Sequence, residues 1–519
     1  MLRIAMFRVS LVLVLLSISV RAQGPLTPPG VPGPTMKTLD QIEPRTPITN
    51  AIFNISQPGS YYLTRNIDGL GIQSHNITLD LMGYSVAATG GSAIYFYAAY
   101  TNVVIRNGTI SSTTGNGLEY PHATPHARGL IEQVRISRCQ SIGLNLPAGF
   151  IVRDCEIYGC PTAGIRANGA CEIRNCHLES NGSGLVLTSG SIATDNAIVN
   201  NNTGLRIEGT NNVVANNVVK GNSDNYNLAA GNQLNLLIGE IPETLDWPCS
   251  VKLAGTLNCT ATVSNGITVN ANDVTIDLDG HTLVGPGANS GNGIHQADTL
   301  RNLSVLNGKV VYWRGDGMDG VYARGKANRI NGIQAATNSN GILVGAGGAL
   351  VNCTAFANDS KGISAGDGCT LGDCSSSYNG SEGFDAYDGT VLSHCSAFNN
   401  GYCGIYANSA CLLDDCVAAF NVRDGIQVLS DCQIIHCSAS NNGNGGDGAG
   451  IHAFTSGNRI DGNHVANNDR GIDVDLAGNF IVRNSARLNA NNYDIAAGNS
   501  VGTITNTPVG AGAWNNFTF

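Results

Sequence analysis

The chain has 519 residues, of which 66 are glycine and only 13 % are charged, and its formal net charge is −10. So few charges argue against long amphipathic helices laced with ion pairs. A negative balance without clustered Lys and Arg excludes nucleic acid as a partner, and it would also repel an acidic glycan unless a cation bridged the two.

At the amino terminus, Arg3 and Arg8, the apolar run Val9 to Val20 and the small-residue exit Val20-Arg21-Ala22 predict a secretory signal over residues 1–22. That run is too short to span a membrane well, and no other segment has around 18 unbroken apolar residues. The expectation is therefore a chain that is not an integral membrane protein and is secreted or held at the cell surface, extracellular or periplasmic. Five prolines between Pro25 and Pro34 predict a semi-rigid spacer over residues 23–47.

Residues 48–243 read as a first array of short repeats. Its aromatic cluster Tyr95, Phe96, Tyr97 and Tyr100 is expected to cover an open core end. Gly143-Leu144, Gly164-Ile165, Gly184-Leu185 and Gly204-Leu205 then recur at spacings of 21, 20 and 20. Residues 244–519 form a second array with a firmer period of 21, set by Gly320, Gly341, Gly362, Gly383, Gly404 and Gly425 and, after a four-residue insertion, by Gly450 and Gly471. Both arrays begin alike, at Ile77-Thr78-Leu79-Asp80 and Val274-Thr275-Ile276-Asp277, and end alike, at Asn225-Tyr226-Asn227 and Asn492-Tyr493-Asp494. This predicts an internal duplication with its boundary near Ile241 to Trp247.

Within each repeat, apolar residues stand one and three positions after the glycine and variable ones at two, which is the alternation of a strand with one buried face. Ile342, Ile363, Phe384, Ile405, Ile426, Ile451 and Ile472 should therefore form one inward ladder. Asn358, Asn379, Asn400, Asn421 and Asn442 form a second, suited to amide bonding from coil to coil. Cys353, Cys374, Cys395, Cys416 and Cys437 form a third, read as core-filling thiols, with disulfides between neighbouring coils left open.

With coils of about 21 residues, Gly-Ile starts and Asn and Cys ladders, the chain resembles the right-handed parallel β-helix repeat family, of the pectin-lyase-like fold. The resemblance implies an all-β right-handed parallel β-helix (a solenoid) in two tandem duplicated arrays. That family holds polysaccharide lyases, hydrolases and epimerases of uronate sugars beside adhesins without catalysis, so the fold alone does not choose.

Two side-chain groups are candidates for chemistry. His452, Asp473 and Asp494 share one outward register, with Asp475 two residues beyond Asp473, Arg470 at the preceding turn and the Gly-rich insertion carrying Asp447 just upstream. A proton-abstracting residue beside a cation is what a lyase needs, and calcium held by Asp447, Asp473 and Asp475 is the cofactor such a site suggests. Asp373, His394, Asp415 and His436 recur 21 residues apart, which predicts alternating carboxylates and imidazoles about 4.8 Å apart along a strand ladder. Each catalytic motif tried for a hydrolase is incomplete. The leading expectation is an exported β-helix whose lateral face binds extracellular or cell-envelope polysaccharide. A calcium-dependent lyase or epimerase of uronate-containing glycans is the second reading, and a structural surface spacer or adhesin the third.

Overall fold

The computed structural model describes residues 44–519 except 123–126, 230, 261–263, 316, 444–445 and 447. The expected signal over 1–22, most of the spacer over 23–47, and Asp447 lie outside the described residues. Residues 47–519 form one compact unit. Among the described residues there is no helix, and none long and apolar enough to cross a membrane.

The repeat folds as the alternation predicts, into a right-handed parallel β-helix. Ile342, Ile363, Phe384, Ile405, Ile426, Ile451 and Ile472 are in-register partners on successive rungs, and all are buried. A regular coil carries three short strands, as at Ile363–Ala365, Thr370–Gly372 and Ser375–Ser377, and in some coils the last two run together, as in Ser304–Arg314. The last two belong to a 37-stranded sheet that runs the length of the stack. The first belongs to a face sheet, of nine strands up to Leu228 and of twelve from Glu243. The long sheet passes unbroken between them, since Gln233–Ile238 pairs with Ser250–Leu253. The two segments therefore share one stack, and the face sheet is interrupted between Leu228 and Glu243.

Polar ladders hold the corners. Asn400 donates from its backbone N–H to Asn421 Oδ1 at 3.0 Å and from Nδ2 to the same oxygen at 2.9 Å, and it accepts both equivalent bonds from Asn379. All five asparagines of the ladder are buried, so each rung supplies the partners that water cannot. The sixteen cysteines are free and buried, in keeping with their reading as core fillers.

The register glycines are explained by what a side chain would meet. A Cβ on Gly404 would lie 2.5 Å from Asn421 Nδ2 and 2.6 Å from the Gly425 carbonyl oxygen. Neither neighbour can move without breaking the ladder. Gly404→Ala is expected to cost about 1–3 kcal/mol as an overpacked site, read as a lowered urea midpoint; an unchanged midpoint would show that the ladder yields.

Candidate functional site

The twelve-stranded face sheet turns one row of side chains outward along the stack: Ser364, Asp385, Tyr406, Gln427, His452, Asp473 and Asp494, each paired in register with the next. Most of the row's polar groups are tied to the residue that precedes the register glycine one rung earlier. Lys361 Nζ lies 2.6 Å from Asp385, the Cys403 thiol donates to Gln427 Oε1 at 3.1 Å, Asp424 Oδ2 is 3.1 Å from His452 Nδ1, and Arg470 Nε is 3.6 Å from Asp494.

His452 is the centre of the densest group. Its Nδ1 donates to Asp424, which also accepts the backbone N–H of Ala449 at 2.6 Å, and its Nε2 donates to Asp475 at 3.2 Å with Asp473 at 3.8 Å. Arg470 bonds Asp473 in turn. Burial of the imidazole lowers its pKa, but the Asp424 hydrogen bond and the charges of Asp424 and Asp473, with the bond to Asp475, outweigh it and raise the group to about 9. Burial raises Asp473 from its ordinary value, against the opposing pull of Arg470 and His452. At neutral pH the ring is thus a cation with both nitrogens engaged.

Beside it opens a cleft of about 690 Å³ whose walls include Tyr402, Arg423, Gln427, His452 and Phe454. The four-residue insertion forms part of the rim through Gly446 and Gly448, and Asp469 Oδ2 fastens it by accepting the Gly446 N–H at 2.9 Å. Arg423 lies 4.6 Å over the Tyr402 ring and donates to its hydroxyl at 3.2 Å; among the described residues no carboxylate pairs with it.

His452, Asp473, Asp475 and Arg470 are brought together as their spacing suggested, with Asp494 at the edge. Asp424 and Arg423 are the residues the spacing reading missed. A ring nitrogen of His452 and carboxylate oxygens of Asp473 and Asp475 lie close enough to hold a metal ion, but the set suits calcium poorly. Calcium takes oxygens, whereas one of these donors is an imidazole nitrogen and Asp473 is already held by Arg470.

The second group differs from its expected form. Asp373, His394, Asp415 and His436 are not on a strand. All four occupy a left-handed turn with φ of 51° to 54°. Side chains leave such a corner in a fan rather than a straight stack. His394 faces Asp415 at 3.8 Å, whereas His436 turns to Asp414 at 3.2 Å. Asp414, Asp415 and His436 also lie close enough to hold a metal, but they are largely open to water. In the first segment, Arg166 and Arg206, both outward, meet on Glu208.

Residues 73–224 match the family described as right handed beta helix region. No curated protein matches the chain. Among solved structures it is similar to the A-module of the mannuronan C-5 epimerase AlgE6 of Azotobacter vinelandii, at 10 % identity over 82 % of this chain and 90 % of that one, with a TM-score of 0.20. It is also similar to the Dettilon tailspike protein, at 14 % identity over 79 % and 61 % with a TM-score of 0.18, and to the PL6 family alginate lyase AlyGC, at 9 % over 92 % and 96 % with a TM-score of 0.18. At such scores none of these bears on what this chain does. With its parallel rungs and the match over residues 73–224, the chain has the fold of a right-handed parallel β-helix.

Proposed function

We infer that this is an exported protein that binds an acidic, uronate-type polysaccharide along the outward row of the twelve-stranded sheet, with the cleft beside His452 as its principal grip. The observation that carries the reading is Arg423, a guanidinium without a carboxylate partner among the described residues, set at an aromatic-walled cleft next to a charged imidazole. Aromatic walls suit the face of a sugar ring, and the guanidinium suits its carboxylate. His452 and Arg470 are already matched by Asp424, Asp473, Asp475 and Asp494, so Arg423 is the cation at the cleft left to meet such a polymer.

A charge-assisted bond of about 1.5 kcal/mol corresponds to roughly a tenfold change in affinity. Arg423→Ala should therefore weaken binding of a galacturonate or mannuronate hexamer about tenfold in calorimetric titration, and the loss should shrink as salt rises. Equal affinity in parent and variant would overturn this use of the cleft.

A second reading draws on the proton that His452 holds toward Asp475. An imidazolium can protonate a leaving oxygen, while removing a proton from the sugar would fall to another group. New unsaturated ends that absorb light with the parent chain and vanish with His452→Ala would establish turnover; their absence on uronate polymers leaves binding as the activity.

A further inference from the structure

Away from that row, four aromatic side chains stand in the open on the 37-stranded sheet. Phe356, Tyr378, Phe398 and Phe420 come from four successive rungs, and their ring centroids lie 5.6, 5.7 and 5.4 Å apart with neighbouring planes inclined by about 60°. Phe356 and Phe398 end strands, while Tyr378 and Phe420 occupy the left-handed residue just after the strand end on the rungs between them. Where one position holds a ring, its neighbour holds a smaller residue: Ala357, Ser377, Asn399 or Ala419. The result is one ring per rung, in a zigzag parallel to the stack. The rings remain 42, 51, 38 and 52 % exposed.

Part of this exposure serves the rings themselves, since edge-to-face pairs at such distances are favourable. Mutual packing does not account for the outer faces left in water, nor for the neighbouring row. The outward residues that begin the strands on this face are Thr354, Ser375, Ser396, Val417 and Ser438, in register from rung to rung. None of the five strands that carry these two rows, Thr354–Phe356, Ser375–Ser377, Ser396–Phe398, Val417–Ala419 and Ser438–Ser440, holds a charged residue. This face thus offers a line of rings beside a row of hydroxyls that Val417 interrupts.

Size and charge choose the occupant. Four rings about half exposed present on the order of 400 Å², half of the roughly 800 Å² per partner that a stable protein interface buries. A second copy of the chain is therefore a poor fit, and a narrow linear ligand a good one. An acidic polymer would find no cation in these strands, in contrast to the cleft with its Arg423. We propose that the strip is a second glycan-docking site, for a neutral linear polysaccharide laid along the helix axis, its sugar faces against Phe356, Tyr378, Phe398 and Phe420 and its hydroxyls toward Thr354, Ser375 and Ser396. The site is independent of the His452 cleft, and the proposal does not rest on the reading of that cleft.

The test pairs footprinting with variants. Hydroxyl-radical labelling of the parent chain should show Phe356, Tyr378, Phe398 and Phe420 protected by at least one of cellohexaose, mannohexaose and chitohexaose, with Leu488 and Phe519 as exposed controls. The double variant Tyr378→Ala, Phe398→Ala should lose at least tenfold in affinity for that hexamer, at about 1–3 kcal/mol per stacked ring by analogy with base stacking, whereas Arg423→Ala should leave it unchanged. Labelling that is unaltered by all three hexamers overturns the proposal without recourse to any variant. So does protection of the strip by a galacturonate hexamer as strong as by the neutral ones, or protection that appears only as the chain self-associates in sedimentation.

Discussion

Asn400→Ala is expected to destabilise the solenoid by about 2–3 kcal/mol, because it leaves buried groups on two sides without partners. Asn400 Oδ1 accepts from both the backbone and side-chain nitrogens of Asn379, and its Nδ2 donates to the Ser376 carbonyl at 3.1 Å and to Asn421. Asn379 keeps a bond from its Nδ2 to Ser376 Oγ, but its buried backbone N–H has no other acceptor to turn to. In a stack whose rungs touch only their neighbours, the damage should concentrate locally. The measurement is hydrogen exchange: the Asn379 amide should speed up by about a hundredfold, the kinetic equivalent of that energy, while the amides of the nine-stranded sheet stay slow. Uniform acceleration along the whole chain would show that the stack unfolds as one unit and that the ladder is not a chain of nearest-neighbour bonds.

The second large effect concerns charge. His452 is held at about 9 mainly through Asp424, so Asp424→Asn should bring its titration midpoint down toward the ordinary value of about 6.5, as followed by the imidazole proton resonances. The linked stability follows from the sign of the shift. A histidine raised in the folded chain contributes in full below about pH 6.5 and loses its contribution as pH rises to about 9. The span would be worth about 3 kcal/mol at most. The parent chain should therefore lose stability between pH 6.5 and 9, and Asp424→Asn should show a flat profile there. A midpoint unmoved by the substitution would mean that Asp473 and Asp475, not Asp424, hold the charge.

Much of this arrangement can be read along the chain because rungs stack in register. Residues one period apart become neighbours, as Ile363 and Phe384 are, and so the inward ladder, the asparagines and the outward row of His452, Asp473 and Asp494 are all visible as repeats. The diagonal contacts are not vertical and escaped that reading. Lys361 reaches Asp385 and Arg470 reaches Asp494 across 24 positions, and Asp424 reaches His452 across 28, the same relation lengthened by the four-residue insertion. Following the residue before each register glycine would have revealed Asp424. The aromatic zigzag escaped for a similar reason: its members alternate between two offsets, at spacings of 22, 20 and 22.

The sequence by itself determined the coil, its period and which residues face inward, because a strand's alternation and a fixed repeat leave the backbone only one way to bury its apolar face. Only the tertiary structure decided which outward side chains meet. That depends on the direction in which each leaves its strand or turn, so Asp424 closes on His452 while His436 swings past Asp415 to Asp414. Side-chain reach and the left-handed corner set those meetings, and neither is written in the period.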